Sequence, residues 1–135
     1  MSLDKNYVIL DNALKIAHQY YDDKTFKHAV RVMNCVSANS AIPDGLKNDC
    51  RCLAIMHDLL EDTDYDPSGL PKNFKKALEL LTKKDEVNYD DYCEKIHYLN
   101  FKRYGLCAWF VKLADIKDHL SQVDTLTPRL KEKYL

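Results

Sequence analysis

The chain is 135 residues long, with 20 basic and 21 acidic side chains and a formal net charge of −1. That length suits one domain that buries its own core, and the balanced charge offers no electrostatic footprint for DNA or RNA. Five cysteines without a C-x-x-C pair (Cys35, Cys50, Cys52, Cys93 and Cys107) read as ordinary thiols of a reducing, cytoplasmic setting, while no run reaches the ~20 apolar residues that span a bilayer and Met1 to Lys5 lack a signal peptide's apolar run.

Three glycines and four prolines favour helices over a turn-rich β fold, and apolar residues recur mainly at helical spacing. Val8, Leu10, Leu14 and Ala17 mark a first helix, and Phe26, Ala29, Val30, Met33 and Val36 a second. After the turn Ile42-Pro43-Asp44-Gly45, a third helix is predicted to run through Leu46, Cys50, Leu53, Ala54, His57 and Leu60. Asp62 to Pro71, with two prolines and Gly69, reads as a loop. Phe74, Ala77, Leu78 and Leu81 give a fourth helix, with Pro71 in its first turn. Charged residues from Lys83 to Asp91 predict a second loop, followed by a fifth helix through Tyr92, Ile96 and Leu99. A long sixth helix runs through Leu106, Trp109, Phe110, Leu113, Leu120 and Val123, and Thr127-Pro128 predicts a final turn or helix. The pattern predicts an all-α fold, a compact single-domain bundle of about six to seven helices.

The chemistry concentrates in Met56-His57-Asp58-Leu59-Leu60-Glu61-Asp62-Thr63-Asp64. On a continuous helix His57 falls on the apolar face, Glu61 lies one turn further on, and Asp58 and Asp62 form a second pair at the same spacing. Burying such groups is costly unless a cation or hydrogen bonds compensate. A plainer reading is a solvated helix end, although acid there opposes the macrodipole. His28 stands among apolar helix positions, where satisfied core histidines are common. Asp115 interrupts the apolar run Val111-Lys112-Leu113-Ala114-Asp115-Ile116, where propensity and burial both disfavour it. Nitrogen and oxygen donors in the order His, His-Asp, Asp suit a divalent ion such as manganese, iron, nickel or zinc, with positions left for water.

These residues resemble the HD phosphohydrolase superfamily, and in particular its RelA/SpoT-type hydrolase branch and the short stand-alone relatives of that branch. That branch carries a His followed by Arg-Val, then H-D-x-x-E-D-T, then K-L-A-D. Here the matching residues are His28-Ala29-Val30-Arg31-Val32, His57-Asp58-Leu59-Leu60-Glu61-Asp62-Thr63 and Lys112-Leu113-Ala114-Asp115. Leu81-Thr82-Lys83-Lys84 and Tyr89-Asp90-Asp91-Tyr92 are similar to the family's L-T-R and Y-x-x-Y stretch. The resemblance implies that His28, His57, Asp58 and Asp115 hold one divalent metal ion, manganese before iron, nickel, zinc or magnesium. It implies that Glu61 and Asp62 stand beside the attacking water, and that the substrate is a phosphorylated nucleotide, a guanosine polyphosphate or a dinucleotide. A nucleoside monophosphate phosphatase and a non-catalytic nucleotide-sensing module are the alternatives, and neither nucleic acid nor membrane is an expected partner.

Departures from the family pattern are equally specific. Only Asp22 to Lys27 joins the first helix to His28, where the full-length hydrolases carry a longer basic loop. After Asp115 the chain reads Ile116-Lys117-Asp118-His119, close to the K-L-A-D-x-x-D-N of the stand-alone relatives but with His119 in place of Asn. Lys24, Lys27, Lys83, Lys84, Arg103 and Lys117 are available cations; Arg31 and Lys112 are the better phosphate contacts because each neighbours a proposed ligand. His119, four residues after Asp115, projects from the same face near the ion, where it either fills space at the pocket rim or contacts the substrate's phosphate or sugar.

Overall fold

The computed structural model describes residues 2–122, and all regular structure among them is helical. The elements are α1 (Leu10–Tyr20), α2 (Asp23–Ala38), α3 (Asp44–Met56), a single turn α4 (Leu59–Asp62), α5 (Lys72–Leu80), α6 (Tyr89–Tyr98) and α7 (Arg103–Ser121), with 3-10 turns at Pro67–Gly69 and Leu99–Phe101. This is an all-α bundle of the expected size. Val123 and the Thr127-Pro128 turn lie outside the described residues. Among the described residues, no helix is long and apolar enough to cross a membrane.

Helix α3 is the central rod: Cys50 and every residue from Cys52 to Met56 are fully buried. It packs against α1, α2, α5 and α7. Small residues on the neighbours, Ala13 and Ala17 of α1 and Ala29 of α2, are completely buried, which suits close helix approach. Phe74 and Leu78 of α5, Ile96 of α6 and Val111 of α7 complete the core. The cysteines are free thiols, as their spacing predicts.

Helix starts follow local chemistry in two cases. The Asp22 carboxylate accepts from Thr25 N at 2.8 Å to open α2, and the Asn88 amide oxygen accepts from Asp91 N at 2.8 Å to open α6. The second cap sets α6 going at Tyr89, inside the stretch the charges mark as loop. Helix α5 is capped from elsewhere. Pro71 occupies the cap position itself, has no capping side chain, and the free N–H groups of Asn73 and Phe74 donate to the two oxygens of Asp4 at 3.0 Å each. The N-terminal strand of chain thus ties α5 to the bundle.

The third helix does not run through Leu60. It ends at Met56, Asp58 turns at φ −97°, ψ −1°, and α4 resumes for four residues. No Gly or Pro marks this break. Side chains satisfy the carbonyls that a helix end leaves open: His57 Nδ1 lies 2.6 Å from Ala54 O, and the Tyr21 hydroxyl donates to Ile55 O at 2.9 Å. The same Tyr21 oxygen accepts from Asp58 N at 3.1 Å. Tyr21 therefore splices the two helices and fixes the backbone at the His-Asp step. In α7 the apolar reading also shifts. Leu113 is 43 % exposed, whereas Lys112, Asp115 and Asp118 are buried, because the inward face of this helix serves a polar site.

Candidate metal centre

Helices α2, α3 and α7 bring His28, His57, Asp58 and Asp115 together at the break between α3 and α4. Asp115 Oδ1 lies 2.9 Å from His28 Nε2 and 3.4 Å from His57 Nε2. Asp58 Oδ2 lies 3.2 Å from His57 Nε2 and 3.9 Å from His28 Nε2. A first-row ion with bonds near 2.1 Å in octahedral geometry separates adjacent donors by about 3.0 Å and opposite donors by about 4.2 Å. The four measured separations fall in or near that range, and His28, His57 and Asp58 offer donor atoms within 4.8 Å of one another, as do His28, Asp115 and His119, so this His/Asp cluster can hold a metal ion.

Both imidazoles are oriented through their other nitrogen. His28 Nδ1 sits 2.6 Å from Asp118 Oδ2, and His57 Nδ1 faces Ala54 O. Such partners fix the ring and aim the lone pair of Nε2 at the centre. His57 Nε2 is fully buried and makes no hydrogen bond, an arrangement that a ligand bond would complete. Positive charge must sit among these groups, as ring protons or as a cation.

The electrostatics agree. Burial works against a charged His57, but Asp58 and Asp115 outweigh it and push the imidazole up to about 9. His28 is likewise raised: burial opposes its charge, and hydrogen bonds to Asp115 and Asp118 prevail. Burial would raise the Asp115 carboxyl, yet His119, His28 and His57 hold it well below the usual carboxylate range. Asp118 is lowered too, by Arg31 and His28 against burial.

The remaining site residues divide into those the structure gathers and those it does not. Glu61 joins His57, Asp58, Lys112, Asp115, His119, Leu81, Lys83, Tyr89 and Tyr92 around a small cavity of about 80 Å³, roomy and polar enough for ordered water. Its carboxylate accepts from the backbone N–H of Lys83. Burial and the charge of Asp58 raise its pKa. Asp62 lies outside that lining, in an open depression of about 760 Å³ that shares Glu61 and Lys83 with the inner cavity; burial and Asp58 raise it as well. Both acids line the open depression, but only Glu61 also reaches the inner cavity.

Lys112 is buried at the inner cavity. Its Nζ donates to Asp115 Oδ2 at 2.8 Å and stands 5.2 and 5.0 Å from the ring centres of Tyr89 and Tyr92. Arg31 is not at this cavity. Its Nε and Nη2 donate to the two Asp118 oxygens at 2.8 and 3.1 Å, and it faces a separate groove of about 610 Å³ beside Phe110, Leu113 and Lys117. Arg31 therefore reaches the centre only through Asp118 and His28. His119 lies closer in than a substrate contact requires, with Nε2 3.2 Å from Asp115 Oδ1.

Two supporting residues escape a reading of the chain alone. Asp118 is visible as a motif position, one helical turn from Asp115, but its partner His28 is 90 residues away. Tyr21 carries no local signal, since the two groups it bonds, Ile55 O and Asp58 N, flank the distant break between α3 and α4. Comparison with known proteins adds nothing to this geometry: no family model matches the chain, and no curated protein matches it.

Proposed function

We propose that this chain is a metal-dependent phosphohydrolase of the HD type, acting on a phosphorylated nucleotide. The observation that carries the reading is the cluster of His28, His57, Asp58 and Asp115, in which each imidazole Nε2 lies within 3.9 Å of both carboxylates and each ring is held from behind. The motif resemblance to the RelA/SpoT-type branch and its stand-alone relatives supports it. One divalent ion, manganese first, would lower the pKa of water and polarise a phosphoryl oxygen when bound.

The protein's own groups do the rest. Glu61 faces the cavity with a raised pKa, which brings it closer to the working range of a general base, so it takes the proton from the attacking water. Asp62 holds water at the open flank. Lys112, buried in the lining of the inner cavity, and Lys83, which lines both it and the adjoining depression, counter the charge of the phosphoryl group. The inner cavity admits little more than the reacting group. The adjoining depression, with Lys83 and Lys84 on its rim, is of a size that takes a nucleoside.

A panel of guanosine polyphosphates, dinucleotides and nucleoside monophosphates, incubated with the protein and Mn²⁺, tests this by release of phosphate or pyrophosphate. Turnover of at least one compound, abolished by chelation and by Asp115→Ala, is expected. No turnover across the panel by a metal-loaded, folded protein would count against an enzyme and favour a nucleotide-sensing module.

A further inference from the structure

We infer that His119 is a fifth ligand of the ion, so that three imidazoles and two carboxylates form the centre. This deepens the reading of the site as a metal centre and rests on it. The first observation is distance. His119 Nε2 lies 3.2 Å from Asp115 Oδ1, against 2.9 Å for His28 Nε2 and 3.4 Å for His57 Nε2. All three are close to the ~3.0 Å edge of an octahedron around a first-row ion, so by this measure His119 is as near as the two motif histidines.

The second observation is helix geometry. Helix α7 is continuous from Arg103 to Ser121, so Asp115 and His119, four residues apart, project from the same face. The His119 ring stands 4.7 Å from that of His28 at an interplanar angle of 39°, and His28, Asp115 and His119 each offer a donor atom within 4.8 Å of the others. The same holds for His28, His57 and Asp58. The two groups share His28, and His57 Nε2 lies 3.4 Å from the Asp115 Oδ1 that His119 faces. The side chain of His119 is 29 % exposed, at the solvent edge of the cluster, where an added ligand needs no rearrangement of the core.

Chemistry gives the consequence. An amide at this position binds a divalent ion weakly, whereas imidazole suits zinc, nickel, iron and cobalt. A third imidazole should therefore raise affinity for nitrogen-preferring ions more than for Mn²⁺ or Mg²⁺.

Co²⁺ and Mn²⁺ titrations of the wild type, His119→Asn and His119→Ala test this, with visible absorption of the Co²⁺ form and circular dichroism as a check on folding. Removing a group that merely orients a ligand costs 10–100-fold in affinity, so losing a ligand should weaken Co²⁺ by more than about tenfold. Mn²⁺ should weaken less, and the Co²⁺ spectrum should change in both variants. Equal Co²⁺ affinity and an unchanged spectrum in folded variants would overturn the role of His119 and leave the four-ligand site standing. A wild type that binds neither ion would overturn both.

Discussion

Tyr21→Phe removes one oxygen atom and tests what ends α3. The Tyr21 hydroxyl is buried and makes two bonds, to Ile55 O at 2.9 Å and from Asp58 N at 3.1 Å. Phenylalanine fills the same space but leaves a carbonyl and an amide without partners beside the core. A buried polar group left unsatisfied costs roughly 1–3 kcal/mol; water reaching the half-buried Asp58 amide lowers the second penalty, so the sum should be about 2–3 kcal/mol. For a chain of this length each kcal/mol moves Tm by roughly 3–5 °C, which gives a fall of about 6–15 °C in metal-free protein. The variant should also bind Mn²⁺ about 10–100-fold more weakly, the usual cost of loosening a ligand's support, because Asp58 is held by the amide that Tyr21 accepts from. Thermal unfolding with chelator and a Mn²⁺ titration read the two effects separately. A Tm within about 1 °C of wild type, with unchanged affinity, would refute the view that Tyr21 shapes the His-Asp step.

Other substitutions probe the remaining links. Asp118→Asn keeps the shape but weakens the hold on His28 Nδ1 and on Arg31, so metal affinity should fall by about tenfold or more in a Mn²⁺ titration; Arg31→Lys should cost less, because Asp118 still holds His28. Glu61→Gln should cut turnover by about 100-fold or more, the usual range for general-base loss, with metal content unchanged by elemental analysis. Gly105→Ala should destabilise by about 1–3 kcal/mol in chemical denaturation, since a Cβ there would sit 2.0 Å from Leu99 O, and the backbone of the corner before α7 must shift. Saturating Mn²⁺ at about 100 times its Kd should add about 2.7 kcal/mol of stability to the wild type and none to His57→Ala.

Helices built on an uninterrupted apolar stripe, such as α2 and α5, are legible in the sequence because one face carries the whole signal. The break after Met56 is not, since its causes are a tyrosine hydroxyl supplied by the residue just after α1 and the imidazole of His57 folding back on Ala54 O. The start of α5 looks self-sufficient with Pro71, yet its free amides are met by Asp4, 70 residues earlier. In α7 the buried lysine and exposed leucine at 112 and 113 invert the usual hydrophobic pattern, because a polar centre replaces part of the core. The four donors can be picked out of the chain as ionisable residues in apolar surroundings and by their motif. Their separations, the two partners behind the imidazoles, the reach of Glu61 but not Asp62 into the inner cavity, and the turning of Arg31 away from it depend on how α2, α3, α4 and α7 are mutually placed, which no local pattern encodes.

Isothermal titration of chelator-stripped protein with Mn²⁺ asks whether His28, His57, Asp58 and Asp115 hold one ion. Saturation at one ion per chain is expected for the wild type, and no saturable binding for His57→Ala or Asp115→Ala in protein that retains its helical signal. Absence of saturable binding by the folded wild type, or an undiminished isotherm in both variants, would contradict the one-ion site.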